Sequence, residues 1–151
     1  MNVSEFISEL AFRHPKMGCG KSNAHFSSLG DESQVKSDTV LHYPCVLMNQ
    51  EPESITLDPA NPVRQYEISL LFLDHVVDTG NWSKIEDTYA LMDEIACQFF
   101  RAIWANQYSL QIYLPETIQV ERIENMDACL FGKMVTFTAS MPFCLNDKSN
   151  I

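Results

Sequence analysis

The chain lacks any stretch near the roughly 18 consecutive apolar residues that a membrane-spanning helix requires. It is also short of basic residues, with ten Lys and Arg against twenty Asp and Glu and a formal charge of -10. Ordinary nucleic-acid surfaces neutralise phosphates with clustered cations, so this balance argues against one. A soluble acidic surface is the plain reading, and a ring with a negative lumen would let DNA slide past its wall without gripping it. A regular cysteine framework is missing as well. Cys19, Cys45, Cys97, Cys129 and Cys144 form an odd, irregularly spaced set, which points to a reducing compartment and free, mostly buried thiols. Fifteen steps of strand from Cys129 to Cys144 would span about 50 Å, so only a sharp reversal would let them pair. The opening residues, Met1 to Phe6, lack the basic and apolar regions of a secretory signal, and cytosol is the expected compartment. There is neither an internal repeat nor a low-complexity tail of consequence.

What is present is a clear pattern of elements within a length that suits one domain and a composition, 46% hydrophobic, that supports a core. Tyr66, Ile68, Leu70 and Phe72 recur with period two, opposite Gln65, Glu67 and Ser69, until Leu71 and Leu73 make both faces apolar. The pattern predicts a strand with one face wet in its first half and both faces covered in its second. After a turn around Gly80 and Asn81, the period changes: Ile85, Tyr89, Met92, Ala96, Phe99 and Ile103 lie on one helical stripe, widened by Leu91, Ile95 and Phe100. Ser83 and Glu86 have capping-box spacing, and Asp87 adds favourable charge near the same end.

A shorter helix is expected at the start, with Val3, Phe6, Ile7 and Leu10 on one face, Asn2 and Glu5 at its cap, and an end near His14-Pro15. From Lys16 to Thr39 no periodicity is sustained, and a long loop or arm, at about 15–39, is expected. Val40 to Met48 reads as a strand in which Pro44 marks an edge or bulge. Glu51 to Pro62, with three prolines, reads as a loop containing a brief extended piece at Ile55 to Leu57. Further strands are expected over Leu110–Leu114, Ile118–Glu124 and Phe131–Phe143, with a turn at Glu124–Asp127 and antiparallel pairing of the last two. On the final strand Phe131, Val135, Phe137, Ala139 and Met141 share a face. The fold class that follows is α+β, a mainly antiparallel sheet packed by one long and one short amphipathic helix, in a single domain over 1–151.

Candidate chemistry is sparse. Gly18-Cys19-Gly20-Lys21-Ser22 has the tail of a phosphate-binding loop, but Pro15 occupies the position of the first glycine and no apolar strand enters it. His14, Cys19, His25, His42 and Cys45 are metal-compatible without zinc-like spacing. Asp74-His75 at a strand end is where a catalytic pair could be presented, yet no serine or cysteine motif marks a nucleophile. Asp93 and Glu94, adjacent on a helix, diverge by about 100°. Trp82, Trp104, Phe99 and Phe100, with Tyr43 and Tyr66, serve a core or a subunit interface better than a ligand pocket. No catalytic residue, metal or cofactor is expected.

The layout as a whole resembles the tail-terminator, or tail-completion, family of tailed bacteriophages. The resemblance rests on the short first helix, the stretch Leu41-His42-Tyr43-Pro44-Cys45-Val46-Leu47-Met48, the strand from Tyr66 to Asp74, the capped helix and the late hairpin, across residues 1–144. The excursion from Pro15 to Thr39 departs from the family pattern. The resemblance implies a non-enzymatic virion protein at the tail or neck, assembled in the host cytoplasm. It implies a homo-oligomeric ring, of six subunits in many members, contacting connector and tail-tube proteins and leaving a passage for DNA without specific binding. Tyr43, Pro44, Tyr66, Asp74, Trp82 and Trp104 are then the candidate interface residues. A small protein-binding adaptor acting through a sheet edge, or an enzyme using Asp74, His75 or a cysteine, are the alternatives.

Overall fold

The computed structural model describes residues 2–28, 41–56 and 63–142. Two helices lie on one face of a five-stranded sheet, so the α+β architecture expected from the pattern holds.

Helix α1 covers Val3–Arg13, and Asn2 caps it as its spacing predicts, accepting from the Glu5 amide at 2.8 Å. Val3, Ile7 and Ala11 are buried, and the helix stops where the His14 amide closes on the Leu10 carbonyl. The chain then departs from the expected featureless excursion. A tight turn buries Met17 and Gly18, and Phe26–Ser28 forms a short strand, β1, parallel to the next one. The remainder of the expected arm, 29–39, lies outside the described residues.

Strand β2 is Cys45–Thr56, so it starts just after Pro44 and runs well past Met48. Pro44 therefore precedes the ladder, where its missing amide costs nothing, and β1 pairs outside Val46–Met48, so β2 is no edge there. The loop expected from Glu51 is strand as far as Thr56, with a register shift between Pro52 and Ser54 that accommodates the proline. Strand β3, Val63–His75, pairs antiparallel with β2 and forms the centre of the sheet. Ile68, Leu70 and Phe72 are fully buried toward the helices. On the opposite face Leu73 is buried, whereas Leu71 keeps partial exposure, so the second half of β3 is covered on both faces only at its very end.

Helix α2, Trp82–Ala105, starts earlier than the Ser83 cap predicts. Asn81 is the cap, its side-chain oxygen accepting from the Lys84 amide at 3.2 Å, and Asp87 consequently lies beyond the first turn. The apolar stripe is as expected: Ile85, Tyr89, Met92, Ile95, Ala96, Phe99, Phe100 and Ile103 are buried. Phe99 meets Phe72 of β3 edge to face at 5.4 Å, and Phe100 meets Phe137 of the last strand at the same distance. Each such pair adds about 0.5–1.5 kcal/mol beyond area burial.

The expected strand over 110–114 is instead one helical turn, α3 (Gln107–Leu110), followed by a left-handed Gln111 and a single bridge from Tyr113 to Ser140. Leu110, Ile112 and Leu114 still supply the core, because a helical turn running into extended chain reproduces the same alternation. Strand β4 is Val120–Asn125 and β5 is Leu130–Pro142, antiparallel as expected. Their turn occupies Met126–Cys129 rather than 124–127, since Glu124 and Asn125 remain paired with Phe131 and Leu130. The sheet order is β1-β2-β3-β5-β4, which leaves β4 on the outside.

Candidate assembly interface

The amino-terminal donors do not gather into one cluster. His14 Nε2 is 2.6 Å from Gln98 Oε1, Cys19 donates to the Pro15 carbonyl, and His25 is buried with Nδ1 2.7 Å from the Pro44 carbonyl oxygen. His42 meets His25 edge to face at 5.7 Å, and no group of three metal-compatible side chains forms among the described residues. The phosphate-loop reading of 18–22 fails for a backbone reason. The amides of Gly18 to Ser22 all donate to main-chain carbonyls, of Ala11, His14, Phe12 and Gly18, and none is turned toward a ligand.

The pairing of β2 with β3 brings Tyr43, Cys45, Asp74 and His75 together. Tyr43 stacks on His75 with centroids 5.7 Å apart, and Asp74 accepts from the His75 amide at 2.8 Å. Burial raises the Asp74 carboxyl above its ordinary value, and the His75 amide bond only partly offsets it. Burial, with help from the Asp74 charge, pushes the Cys45 thiol up to about 12. Such a thiol stays protonated at neutral pH and is a poor nucleophile. The thiols are not mostly buried as expected: Cys45 is, but Cys19 and Cys97 are exposed and Cys129 is intermediate. All four are free, and Cys144 lies outside the described residues.

A different arrangement forms along β4. Its outer edge has no neighbouring strand among the described residues, and only Ile123 of its six side chains is even partly buried. On the helix side a groove of about 290 Å³ opens between β4 and α2, lined by Ala96, Cys97, Phe100, Arg101, Trp104, Ile118 and Val120. Cys97, Arg101 and Trp104 lie at i, i+4 and i+7, a second helical stripe beside the buried one. None of the described salt bridges uses Arg101. Beyond Trp104, Tyr108 and Tyr113 are 94% and 61% exposed, an aromatic surface that sequence reasoning passed over.

At the other end of the same flank Trp82 is 65% exposed beside Arg122, Ile123 and Glu124. The two tryptophans are about 33 Å apart along the helix, at 1.5 Å per residue, and both border β4. Between them a polar set ties α2 to the hairpin. Arg122 sits 4.5 Å over the Tyr89 ring and pairs with Glu86, while the buried Lys133 ammonium pairs with Asp93 at 3.1 Å. Asp93 is thus a structural partner rather than half of an acid/base pair.

The candidate interface residues accordingly fall into three places. Trp82 and Trp104 flank the β4 edge, Tyr43, Pro44 and Asp74 sit by the start of β2, and Tyr66 packs against the main core. Arg101, Ile118 and Val120 were missed, the first because it lies off the apolar stripe. Ile118 and Val120 alternate as in a strand, yet nothing in their spacing gives that strand a neighbour. Comparison of the sequence with protein-family models and with curated proteins finds no match to either.

Proposed function

We propose that this chain is a structural subunit that closes into a ring at the head-tail junction or tail end of a tailed phage, joining connector to tail and leaving a passage for DNA. The observation that carries the reading is the β4 edge with its apolar groove. An unpaired strand edge is a template for another chain, and monomeric proteins normally blunt or cover such edges. Here the edge is bordered by an apolar groove and by two exposed tryptophans, residues that dominate interface energetics.

The acceptor surface proposed here runs along β4 and the adjoining face of α2. A donor elsewhere on a second copy makes the contact heterologous, and heterologous contacts close into rings when the rotation per step permits. The charge of -10 suits a wall past which DNA slides. Native mass spectrometry with negative-stain electron microscopy tests the reading on the purified chain, alone and with connector and tail-tube proteins. A discrete annular oligomer is the expected result. A monomer at every concentration and with every tail component overturns it and leaves a sheet-edge adaptor.

A further inference from the structure

The unpaired edge of β4 is rimmed by negative charge. From Tyr113 to Leu130 the chain carries Glu116, Glu121, Glu124 and Asp127, all exposed, against Arg122, whose charge is already held by Glu86. Glu121 and Glu124 stand on β4 itself and, three residues apart, project to opposite faces of it. A cation brought to that edge meets a carboxylate from either side.

The described surface that complements this rim is the turn between α1 and β1. From Ala11 to Ser28 the sequence holds Arg13, Lys16 and Lys21 and no acid, in a chain whose overall charge is -10. Arg13 is taken by Glu9, but Lys16 and Lys21 are exposed and enter none of the described salt bridges. The turn is also preformed. The amides of Gly18 and Gly20 close on the Ala11 and Phe12 carbonyls, Met17 and Gly18 are buried, and Gly18 leaves no room for a side chain against the Phe12 and Ser22 backbone. Docking such a knob costs little ordering entropy.

Within one copy the knob and the β4 rim stay apart. Helix α1 packs over β1 and β2, and α2 over β3 and β5, so the knob belongs to the β1 side while β4 is the opposite edge of the sheet. His14, at the base of the knob, touches α2 at Gln98, which helical geometry puts on the flank turned away from the groove residues Phe100 and Trp104. Four strand spacings separate β1 from β4, about 19 Å, more than twice the screening length of about 8 Å at physiological salt. Each patch keeps its charge for a second molecule.

We propose that the knob of one copy docks on the β4 edge of the next, with Lys16 and Lys21 facing Glu121 and Glu124. The inference rests on the ring reading and names the two surfaces that such a ring joins. Because knob and rim lie at opposite edges of the sheet, every docking leaves one free rim and one free knob, which is the head-to-tail arrangement.

Paired charge reversals in the full-length chain test the contact, read by sedimentation velocity and native mass spectrometry, with a melting profile to check that each variant folds. Lys16→Glu with Lys21→Glu, and Glu121→Lys with Glu124→Lys, each weaken association about tenfold. An equimolar mixture of the two variants assembles again, because the knob of each then meets a rim of opposite charge on the other. Where a reversal lowers the melting midpoint, Lys16→Gln with Lys21→Gln takes its place, with a loss of about threefold. Variants that assemble singly as the parent does, or a mixture that stays dissociated, overturn the contact and leave the ring reading intact. A mixture restored only to pairs or open chains upholds the contact and overturns the ring, and a parent that stays monomeric overturns both. Lysine variants that assemble normally but no longer bind a duplex DNA probe in fluorescence anisotropy overturn the contact and assign the knob to phosphate.

Discussion

Arg122 of β4 donates through both terminal guanidinium nitrogens to the two carboxylate oxygens of Glu86 in α2, at 2.9 and 3.1 Å. That hydrogen-bonded pair raises the Arg122 pKa further and holds the guanidinium over the Tyr89 ring. It also removes Glu86 from the helix terminus, where its spacing from Ser83 placed it. The orphan amides at the start of α2 are left to Asn81.

The two possible caps separate cleanly by mutation. Asn81→Ala costs about 1 kcal/mol of stability, and Ser83→Ala less than about 0.5 kcal/mol, because only the former removes an acceptor from an early amide. Urea denaturation of both variants measures the difference. Equal losses would mean that Ser83 shares the cap.

The contact between α2 and the centre of the sheet is the costliest to delete. Phe99 is 1% exposed and edge-on to Phe72, so Phe99→Ala leaves a cavity and loses about 3–5 kcal/mol. Trp104→Ala, at a residue 37% exposed, changes monomer stability by less than about 1 kcal/mol while impairing association. Denaturation paired with native mass spectrometry distinguishes the core role from the interface role.

Gly132 of β5 lies where the backbone of β3 leaves no room for a side chain. A Cβ built there overlaps the Phe72 carbonyl oxygen, a backbone atom that cannot rotate away. Gly132→Ala therefore forces β3 and β5 apart and costs about 3 kcal/mol, read as a lowered thermal midpoint. Gly80, whose added Cβ would meet only the Asp78 side chain at 3.5 Å, tolerates the same change.

Asp74 gives stability a defined dependence on pH. Burial disfavours its charged form, so its folded pKa lies above its unfolded one. Its contribution is fully present below the ordinary carboxylate range and is lost as pH rises through the raised folded value. Asp74→Asn keeps the acceptor for the His75 amide without the charge. The variant is expected to match the parent in acid and exceed it at neutral pH in denaturation midpoints, whereas parallel profiles would contradict the burial account.

Thiol reactivity follows the same logic. Cys45 is fully buried and held near 12, whereas Cys97 and Cys19 are exposed. Iodoacetamide labelling with peptide mapping at pH 8 should modify Cys97 and Cys19 in the native protein, and Cys45 only after unfolding.

Much of this fold was legible because its largest elements carry strong periodicity. The stripe from Ile85 to Ile103 and the alternations through Phe72 and Val135 leave little choice of secondary structure. The outer half of β2 was not legible, because Gln50-Glu51-Pro52-Glu53-Ser54 has poor strand propensity and forms strand by pairing along β3. Strand β1 has three residues and exists only as a partner of β2. The interface was half visible. Trp82 and Trp104 announce themselves by type, but Arg101, Ile118 and Val120 become a groove only when β4 is placed beside α2, and no local pattern specifies that tertiary contact.

The strand order carries a consequence for synthesis. Strand β5 is last of the described strands in the chain yet lies between β3 and β4, and all thirteen residues of β3 pair with it. A ribosome delivers β3, then α2, then β4 before the strand that joins them exists. Helix α2 can shelter the face of β3 at once through Phe99 and Phe72, but the edge awaiting β5 stays open until Pro142 emerges. Closure of so distant a pair is slow, and the nascent chain is most open to mispairing in that interval.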